Sequence, residues 1–161
     1  MSATSVRDYD RLGKKLREVM PRDASREERM RVFVDQLWEA LAPTGMSWGG
    51  IYLHQPEAPD GQELVLGPRR DKPACSPIGL HGACGQSLIS RRALIVRDVK
   101  ELGEGYIACD PRDQSEIVIP LIDEAGDCWG VLDLDSFEVG SFDEHDRIGL
   151  ERALRAAGLL A

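Results

Sequence analysis

The spacing of the hydrophobic residues changes once along this chain, near residue 46, and this change restricts the folds that the chain can adopt. Before that point, apolar side chains recur every three or four residues in two segments, which end at Pro21 and Pro43, as in amphipathic helices. After it, apolar residues form short runs separated by Pro, Gly and Asp, as in strands joined by turns. The order predicts an α+β fold in which two helices precede a sheet.

Sequences typical of helix N-caps predict where three helices begin. Each has two capping residues three positions apart: Ser5 and Asp8, Ser25 and Glu28, and Ser141 and Glu144. Strand-like runs cover residues 47–53, 63–66, 94–96, 116–122 and 128–135, and a short helix is predicted over residues 86–91. We expect a mostly antiparallel sheet with the N- and C-terminal helices on one face and pocket-forming loops on the other.

Length and charge exclude several classes of function. The 161 residues suit one domain, expected over residues 1–161, with residues 1–22 as an N-terminal helical extension. The net charge of −8 disfavours nucleic acid as a partner, because phosphate backbones are also negative. The chain lacks the apolar stretch of a signal peptide and any apolar run long enough to span a membrane. We therefore expect a cytoplasmic protein with reduced thiols and no membrane partner.

Three of the four cysteines stand in or beside two predicted long loops, residues 67–85 and 98–114. Cys75, Cys84 and Cys109 have Gly, Pro and polar neighbours, where backbone mobility would let two sulfur atoms approach each other. This pattern favours a redox group in which one sulfur attacks and another resolves the intermediate. Two alternatives stay open: three unrelated thiols, or a zinc site that also uses His81, although the chain lacks a C-x₂-C pair.

Acidic residues are grouped on two predicted strands. Asp133 and Asp135 alternate along one strand, so both side chains point to the same face. If the preceding strand pairs with it across residues 123–126, Glu116 lies close to them. Like charges side by side are costly to desolvate, which favours a functional site over the alternative, an acidic surface exposed to solvent.

Two aromatic residues also share one face of a predicted strand. Trp48 and Tyr52 are four residues apart, so they either wall a small ligand or pack against a loop.

Eight segments, in order from about residue 25 to the C-terminus, resemble the free methionine-(R)-sulfoxide reductases, a branch of the GAF-domain fold. They are residues 48–53, 63–68, 72–75, 82–85, 106–110, 115–121, 130–136 and 142–144. The motif Gly-Val-Leu-Asp-Leu-Asp-Ser at 130–136 indicates only a GAF domain. Lys-Pro-Ala-Cys at 72–75, Gly-Ala-Cys-Gly at 82–85, Ile-Ala-Cys-Asp at 107–110 and Ser-Glu-Ile-Val at 115–118 are more specific.

The resemblance implies a role for each candidate residue. Cys109 corresponds to the family's nucleophile, Cys75 to its main resolving cysteine, and Cys84 to a third cysteine that assists recycling. The other implied contacts are with the substrate: Trp48 and Tyr52 around the methyl end, and Glu116, Asp133 and Asp135 facing the sulfoxide oxygen and the ammonium group. Thioredoxin is the implied reductant, with no bound cofactor or metal, and the preference for the R form comes from the resemblance alone.

Some questions stay open at this point. The interval from Cys75 to Cys84 is one residue shorter than in the family, which leaves the division of work between these two cysteines undecided. Cys128 has no counterpart and is interpreted as a packed thiol. A homodimer is possible, and a ligand- or redox-sensing GAF module is the alternative to an enzyme.

Overall fold

The computed structural model describes residues 7–105 and 109–161, which form a five-stranded antiparallel sheet with helices on both faces. The helices are α1 (Tyr9–Val19), α2 (Arg26–Leu41), α3 (Ala83–Ser90) and α4 (Glu144–Ala156). The strands are β1 (Trp48–His54), β2 (Leu64–Arg70), β3 (Leu94–Val96), β4 (Ser115–Ile122) and β5 (Cys128–Ser136). Short 3₁₀ segments cover Ala42–Thr44 and Val99–Gly105.

The strand order is β2-β1-β5-β4-β3, and each neighbouring pair in this order is antiparallel. A tight turn joins β4 to β5, where the Asp123 N–H donates to the Asp127 carbonyl at 2.9 Å. This hairpin determines which residues of the two central strands lie opposite each other. The predicted α+β fold is confirmed.

Helices α1, α2 and α4 cover one face of the sheet. Alternate strand residues point into this layer, where Ile117, Leu132 and Leu134 are fully buried beside Phe33 and Leu150. Burial of each such side chain stabilises the fold by about 1.5–3 kcal/mol. Among the described residues, this layer is a larger hydrophobic core than the cluster around Trp48 and Tyr52 on the other face. The N- and C-terminal helices lie on the same face, as predicted.

The first two helices begin after side chains that cap them. The Ser25 Oγ accepts a hydrogen bond from the Glu28 N–H at 3.1 Å, as predicted for α2. Asp8 caps α1 by accepting from the Arg11 N–H at 3.0 Å. Ser5, predicted to share that capping box, lies outside the described residues.

Buried polar contacts join α1 to α4. Asp146 of α4 accepts hydrogen bonds from the Tyr9 hydroxyl (2.6 Å) and from Arg7 Nη1 (3.1 Å). Arg7 also donates to the Ser141 hydroxyl at 2.9 Å. The prediction that Ser141 caps α4 was therefore wrong, because Asp143 is the N-cap and forms a capping box with Asp146.

Two elements near the other face differ from their predicted bounds. β2 continues to Arg70 instead of ending at residue 66. Pro68 is tolerated there because β2 is an edge strand and its pairing with β1 is irregular at this point. α3 begins at Ala83, earlier than predicted, so Cys84 lies in a helix and not in a loop. Within the described part of the chain, none of the helices has the length and apolar character needed to cross a bilayer.

Candidate active site

The strand register places the predicted acidic and aromatic residues in rows across three strands. In the first row, Trp48 of β1 lies opposite Asp135 of β5, which lies opposite Glu116 of β4. The next row contains Gly50, Asp133 and Val118. Because directly paired residues point to the same face of a sheet, these side chains share the face opposite helices α1, α2 and α4. The sheet therefore brings Glu116, Asp133 and Asp135 together, as the sequence predicted.

Trp48 and Tyr52 form an aromatic wall above these rows. Both are buried, and their ring centroids are 6.2 Å apart. The Trp48 indole lies over Gly50, where a Cβ atom would be 2.5 Å from the indole Cη2. A residue without a side chain is therefore needed at position 50.

The aromatic wall also binds the loop that carries Cys75. The Trp48 Nε1–H donates to the Lys72 carbonyl at 2.8 Å, and the Tyr52 hydroxyl donates to the Cys75 carbonyl at 2.9 Å. Burial and the nearby Asp133 carboxyl raise the pKa of Tyr52, so its hydroxyl stays a proton donor at any physiological pH. Both aromatic residues thus contact the pocket and fix this loop.

Two of the three candidate cysteines meet. Cys75 and Cys109, 34 residues apart in the sequence, form a disulfide with a Cα–Cα distance of 5.5 Å, and both residues are exposed. Cys84 is a buried free thiol in the first turn of α3. Cys128 is a half-buried free thiol on β5, whose Sγ donates to the Gly130 carbonyl at 3.4 Å. Residues 106–108 of the Cys109 motif lie outside the described residues.

Cys109 lies between two adjoining cavities. The inner cavity, of about 40 Å³, is bordered by Tyr52, Cys84, Glu116 and Asp133, and the outer one, of about 210 Å³, by Lys72, Asp110 and Arg112. Residues that line both are Trp48, Ala74, Cys109, Asp113 and Asp135. With the disulfide in place the inner cavity has room for only about three water molecules. A larger ligand therefore requires residues around the inner cavity to move.

We call Glu116, Asp133 and Asp135 the acidic floor of the site, and the pKa values of its two aspartates lie well above their ordinary value. Burial, the Asp135 charge and the Glu116 charge all raise the pKa of Asp133. Burial and the charges of Glu116 and Asp113 raise the pKa of Asp135. Crowded carboxyl groups cannot all ionise together, so this cluster can hold a proton at neutral pH and donate it.

The burial and the acidic neighbours that act on Asp133 also act on the thiol of Cys84. Burial and the neighbouring Asp133 and Glu116 raise the pKa of Cys84 well above its ordinary value. A thiolate is the nucleophilic form of cysteine, so Cys84 is poorly reactive while these neighbours surround it.

Asp113 belongs to the site, although the sequence analysis did not select it. It is buried in the loop before β4, lines both cavities, and has its pKa raised to about 6 by burial and by the Asp110 charge. No periodic pattern covers this loop. The available signal was its position four residues after Cys109.

Three buried side chains in the described part of the chain are close enough to share a metal ion. The ligand atoms of Cys84, Glu116 and Asp133 all lie within 4.8 Å of one another. The Oδ1 atom of Asp133 is buried with no hydrogen-bond partner among the described residues. One sulfur and two oxygen donors suit a thiophilic cation such as Zn²⁺. The set weighed from the sequence differs, since two of its members, Cys75 and Cys109, are joined in the disulfide.

Known proteins with sequences similar to this chain belong to the family that the geometry of the site indicates. The sequence pattern that defines the GAF domain matches residues 25–160. The free methionine-R-sulfoxide reductase of Saccharomyces cerevisiae is 36% identical over 119 residues, which are 72% of this chain and 64% of that protein. The chain thus spans just under two thirds of the length of this curated relative.

Two of the solved structures that match this chain cover more than nine tenths of it. The structure of fRMsr of Staphylococcus aureus in its reduced form has a TM-score of 0.83 and 31% identity, and the match covers 96% of each chain. The free methionine-R-sulfoxide reductase from Neisseria meningitidis, solved in complex with its substrate, has a TM-score of 0.81 and 31% identity, with 92% of this chain and 85% of that chain covered. The chain therefore belongs to the GAF domain family and, within it, to the family of the free methionine-R-sulfoxide reductases.

Proposed function

We propose that this protein reduces free L-methionine-(R)-sulfoxide to methionine, with Cys109 as the nucleophile and Cys75 as the main resolving cysteine. The observation that carries the proposal is the Cys75–Cys109 disulfide at the entrance of a cavity whose carboxyl groups have raised pKa values. The names of the relatives from yeast and Neisseria meningitidis support the choice of substrate.

The first step joins a nucleophile to a proton donor. A sulfoxide oxygen leaves poorly unless it is protonated, so attack on sulfur by the Cys109 thiol is coupled to proton donation from Glu116 or Asp135. The protonated oxygen then transfers to the Cys109 sulfur as the S–O bond of the substrate breaks, so that methionine leaves and Cys109 becomes a sulfenic acid. The proton of the thiol returns to the carboxylate. The position of these two carboxyl groups in one row, next to the aromatic wall, supports this assignment.

The second step regenerates the thiols. The Cys75 thiol attacks the sulfenic acid of Cys109, water leaves, and the disulfide forms. An external dithiol, which we propose to be that of thioredoxin, then reduces the disulfide. The exposure of both cysteines would give such a partner access. Cys84 would assist recycling only after it moves away from Asp133 and Glu116, which raise its pKa in the buried position. This cycle needs no bound cofactor.

The acidic floor favours the free amino acid over a methionine sulfoxide residue in a peptide. A free α-ammonium group would favour the ionised form of Asp133, whose Oδ1 has no hydrogen-bond partner among the described residues, and would pair with it, whereas the same nitrogen in a peptide is uncharged. The methyl end of the substrate would lie between Trp48 and Tyr52. We also propose that the protein is a single GAF domain located in the cytoplasm and that it forms a homodimer.

A coupled assay tests the proposal. Oxidation of NADPH by thioredoxin reductase and thioredoxin is measured with separated R and S forms of free methionine sulfoxide and with a peptide sulfoxide. We expect turnover of the free R form only. Cys128→Ser serves as the matched control and should keep full activity, because Cys128 lies outside both cavities. Ligand binding without any turnover would contradict the proposal and favour a sensing function.

A further inference from the structure

A cluster of charges connects the loops that carry the two disulfide cysteines. Asp110 directly follows Cys109, and Lys72 lies three residues before Cys75. The Lys72 Nζ donates to Asp110 Oδ2 at 2.7 Å, and the Nε and Nη2 groups of Arg112 donate to the same carboxylate at 3.0 and 2.8 Å. We call Lys72, Asp110 and Arg112 the ionic clasp.

The ionic clasp is anchored to the sheet from two sides. Phe137, directly after β5, lies against both cations, with its ring centroid 5.3 Å from Lys72 Nζ and 4.5 Å from Arg112 Cζ. Trp48 on β1 holds the backbone of Lys72 through the carbonyl contact at 2.8 Å. The cation–π contacts and the ion pair therefore fix Lys72 at both its side chain and its backbone.

We propose that the ionic clasp positions Cys75 against Cys109 for disulfide formation, so that Lys72 and Asp110 are positioning residues of the resolving step. This inference rests on the proposed function. In that step the Cys75 thiol attacks the Cys109 sulfenic acid, the S–O bond breaks, and the oxygen leaves as water. The clasp exchanges no electrons or protons with the reacting atoms.

The expected size of the effect follows from the kind of contact. The Asp110 carboxylate is 17% exposed, while the Lys72 side chain is 37% exposed, so the pair is partly shielded from water and salt. The two Arg112 bonds add to the Lys72 bond at the same carboxylate. A partly buried network of this kind should favour the disulfide over the dithiol by about three- to tenfold.

The reduction potential of the disulfide tests the inference without any substrate. The purified full-length protein is equilibrated in dithiothreitol redox buffers, and Lys72→Met and Asp110→Asn are compared with the parent protein. We expect each variant to lose about three- to tenfold of the preference for the disulfide over the dithiol. This loss corresponds to a reduction potential about 15–30 mV higher than that of the parent protein. The double variant should be little worse than Asp110→Asn alone, because both changes break the Lys72–Asp110 contact that joins the two loops, whereas the Arg112 bonds stay within one loop.

The sign of the Lys72→Met effect separates positioning from a simple charge effect. Loss of a nearby cation would make the Cys109 thiolate less stable, which favours the disulfide and lowers the potential. Loss of the clasp raises the potential instead. Asp10→Asn is the matched control, because Asp10 of α1 pairs with Arg152 of α4 at 3.0 Å on the helical face of the sheet, and its loss should leave the potential unchanged.

A second readout uses the reaction itself. During turnover of the free R sulfoxide, a dimedone-type probe should trap more Cys109 sulfenic acid in Lys72→Met and Asp110→Asn, because Cys75 reacts more slowly. Potentials within experimental error of the parent protein, or a lowered potential for Lys72→Met, would overturn the inference. If the two variants have raised reduction potentials but the parent protein makes no methionine, the proposed function is refuted. The inference that the ionic clasp positions Cys75 against Cys109 is then still supported.

Discussion

Replacement of Asp113 by Asn should stabilise the folded protein in a strongly pH-dependent way. Asp113 is buried between the two cavities, and burial together with the Asp110 charge raises its pKa from 3.8 to about 6. The ionised form of this side chain is therefore unfavourable in the folded state. Asn has nearly the same shape and cannot ionise, so Asp113→Asn removes this penalty together with the charge that Asp113 places near Asp135.

The magnitude follows from the pKa. Each tenfold change in acidity corresponds to about 1.36 kcal/mol, so a rise from 3.8 to about 6 destabilises the ionised folded state by about 3 kcal/mol. Because the folded pKa is the higher one, the contribution of Asp113 to stability is fully present below pH 3.8 and is lost as the pH rises through about 6. Asp113→Asn should match the parent protein at pH 3.5 and exceed it by about 3 kcal/mol at pH 8.

Urea denaturation of the disulfide form between pH 3.5 and 8 measures this difference, and thermal unfolding at pH 8 should give a Tm about 6–12 °C higher. Asp110→Asn, added to both proteins, should reduce the gain from Asp113→Asn, because the Asp110 charge is one cause of the raised pKa of Asp113. A free-energy difference between Asp113→Asn and the parent protein that does not change with pH would refute the reasoning.

Three further predictions concern the resolving cysteine, its loop and the core. Cys75→Ser should release a stoichiometric amount of methionine and then stall in the thioredoxin-coupled assay; parent rates over many turnovers would assign the resolving role to Cys84. Tyr52→Phe removes the hydrogen bond to the Cys75 carbonyl and should cost about 0.5–1.5 kcal/mol in urea unfolding, whereas an unchanged midpoint would mean that this contact contributes nothing. Leu134→Ala leaves a cavity in the helical face and should cost about 2–5 kcal/mol by the same measurement, and a loss below 1 kcal/mol would contradict the described packing.

The acidic floor could be predicted from the sequence because it depends on local rules. The period of two along a strand placed Asp133 and Asp135 on one face, and the short turn to the preceding strand brought Glu116 opposite Asp135. The first rule acts between near neighbours and the second through one tight turn, and in both cases backbone geometry leaves few alternatives.

Other parts of the site depend on contacts between distant loops, which no local pattern reports. The sequence left open which cysteines meet, and the structure joins Cys75 to Cys109 across 34 residues. Asp113 and the Lys72–Asp110 ion pair were missed for the same reason, since loop conformation has no hydrophobic period. Ser141 was assigned as a cap because its competing partner, Arg7, is 134 residues away.

A single-turnover experiment without any external reductant tests the catalytic account most directly. The fully reduced protein is mixed with excess free methionine-(R)-sulfoxide, methionine is quantified, and the new disulfide is located by peptide mass spectrometry. The account predicts a stoichiometric yield of methionine and a Cys75–Cys109 disulfide, with no methionine from Cys109→Ser. Methionine formed by Cys109→Ser, or a product disulfide that excludes Cys109, would contradict it.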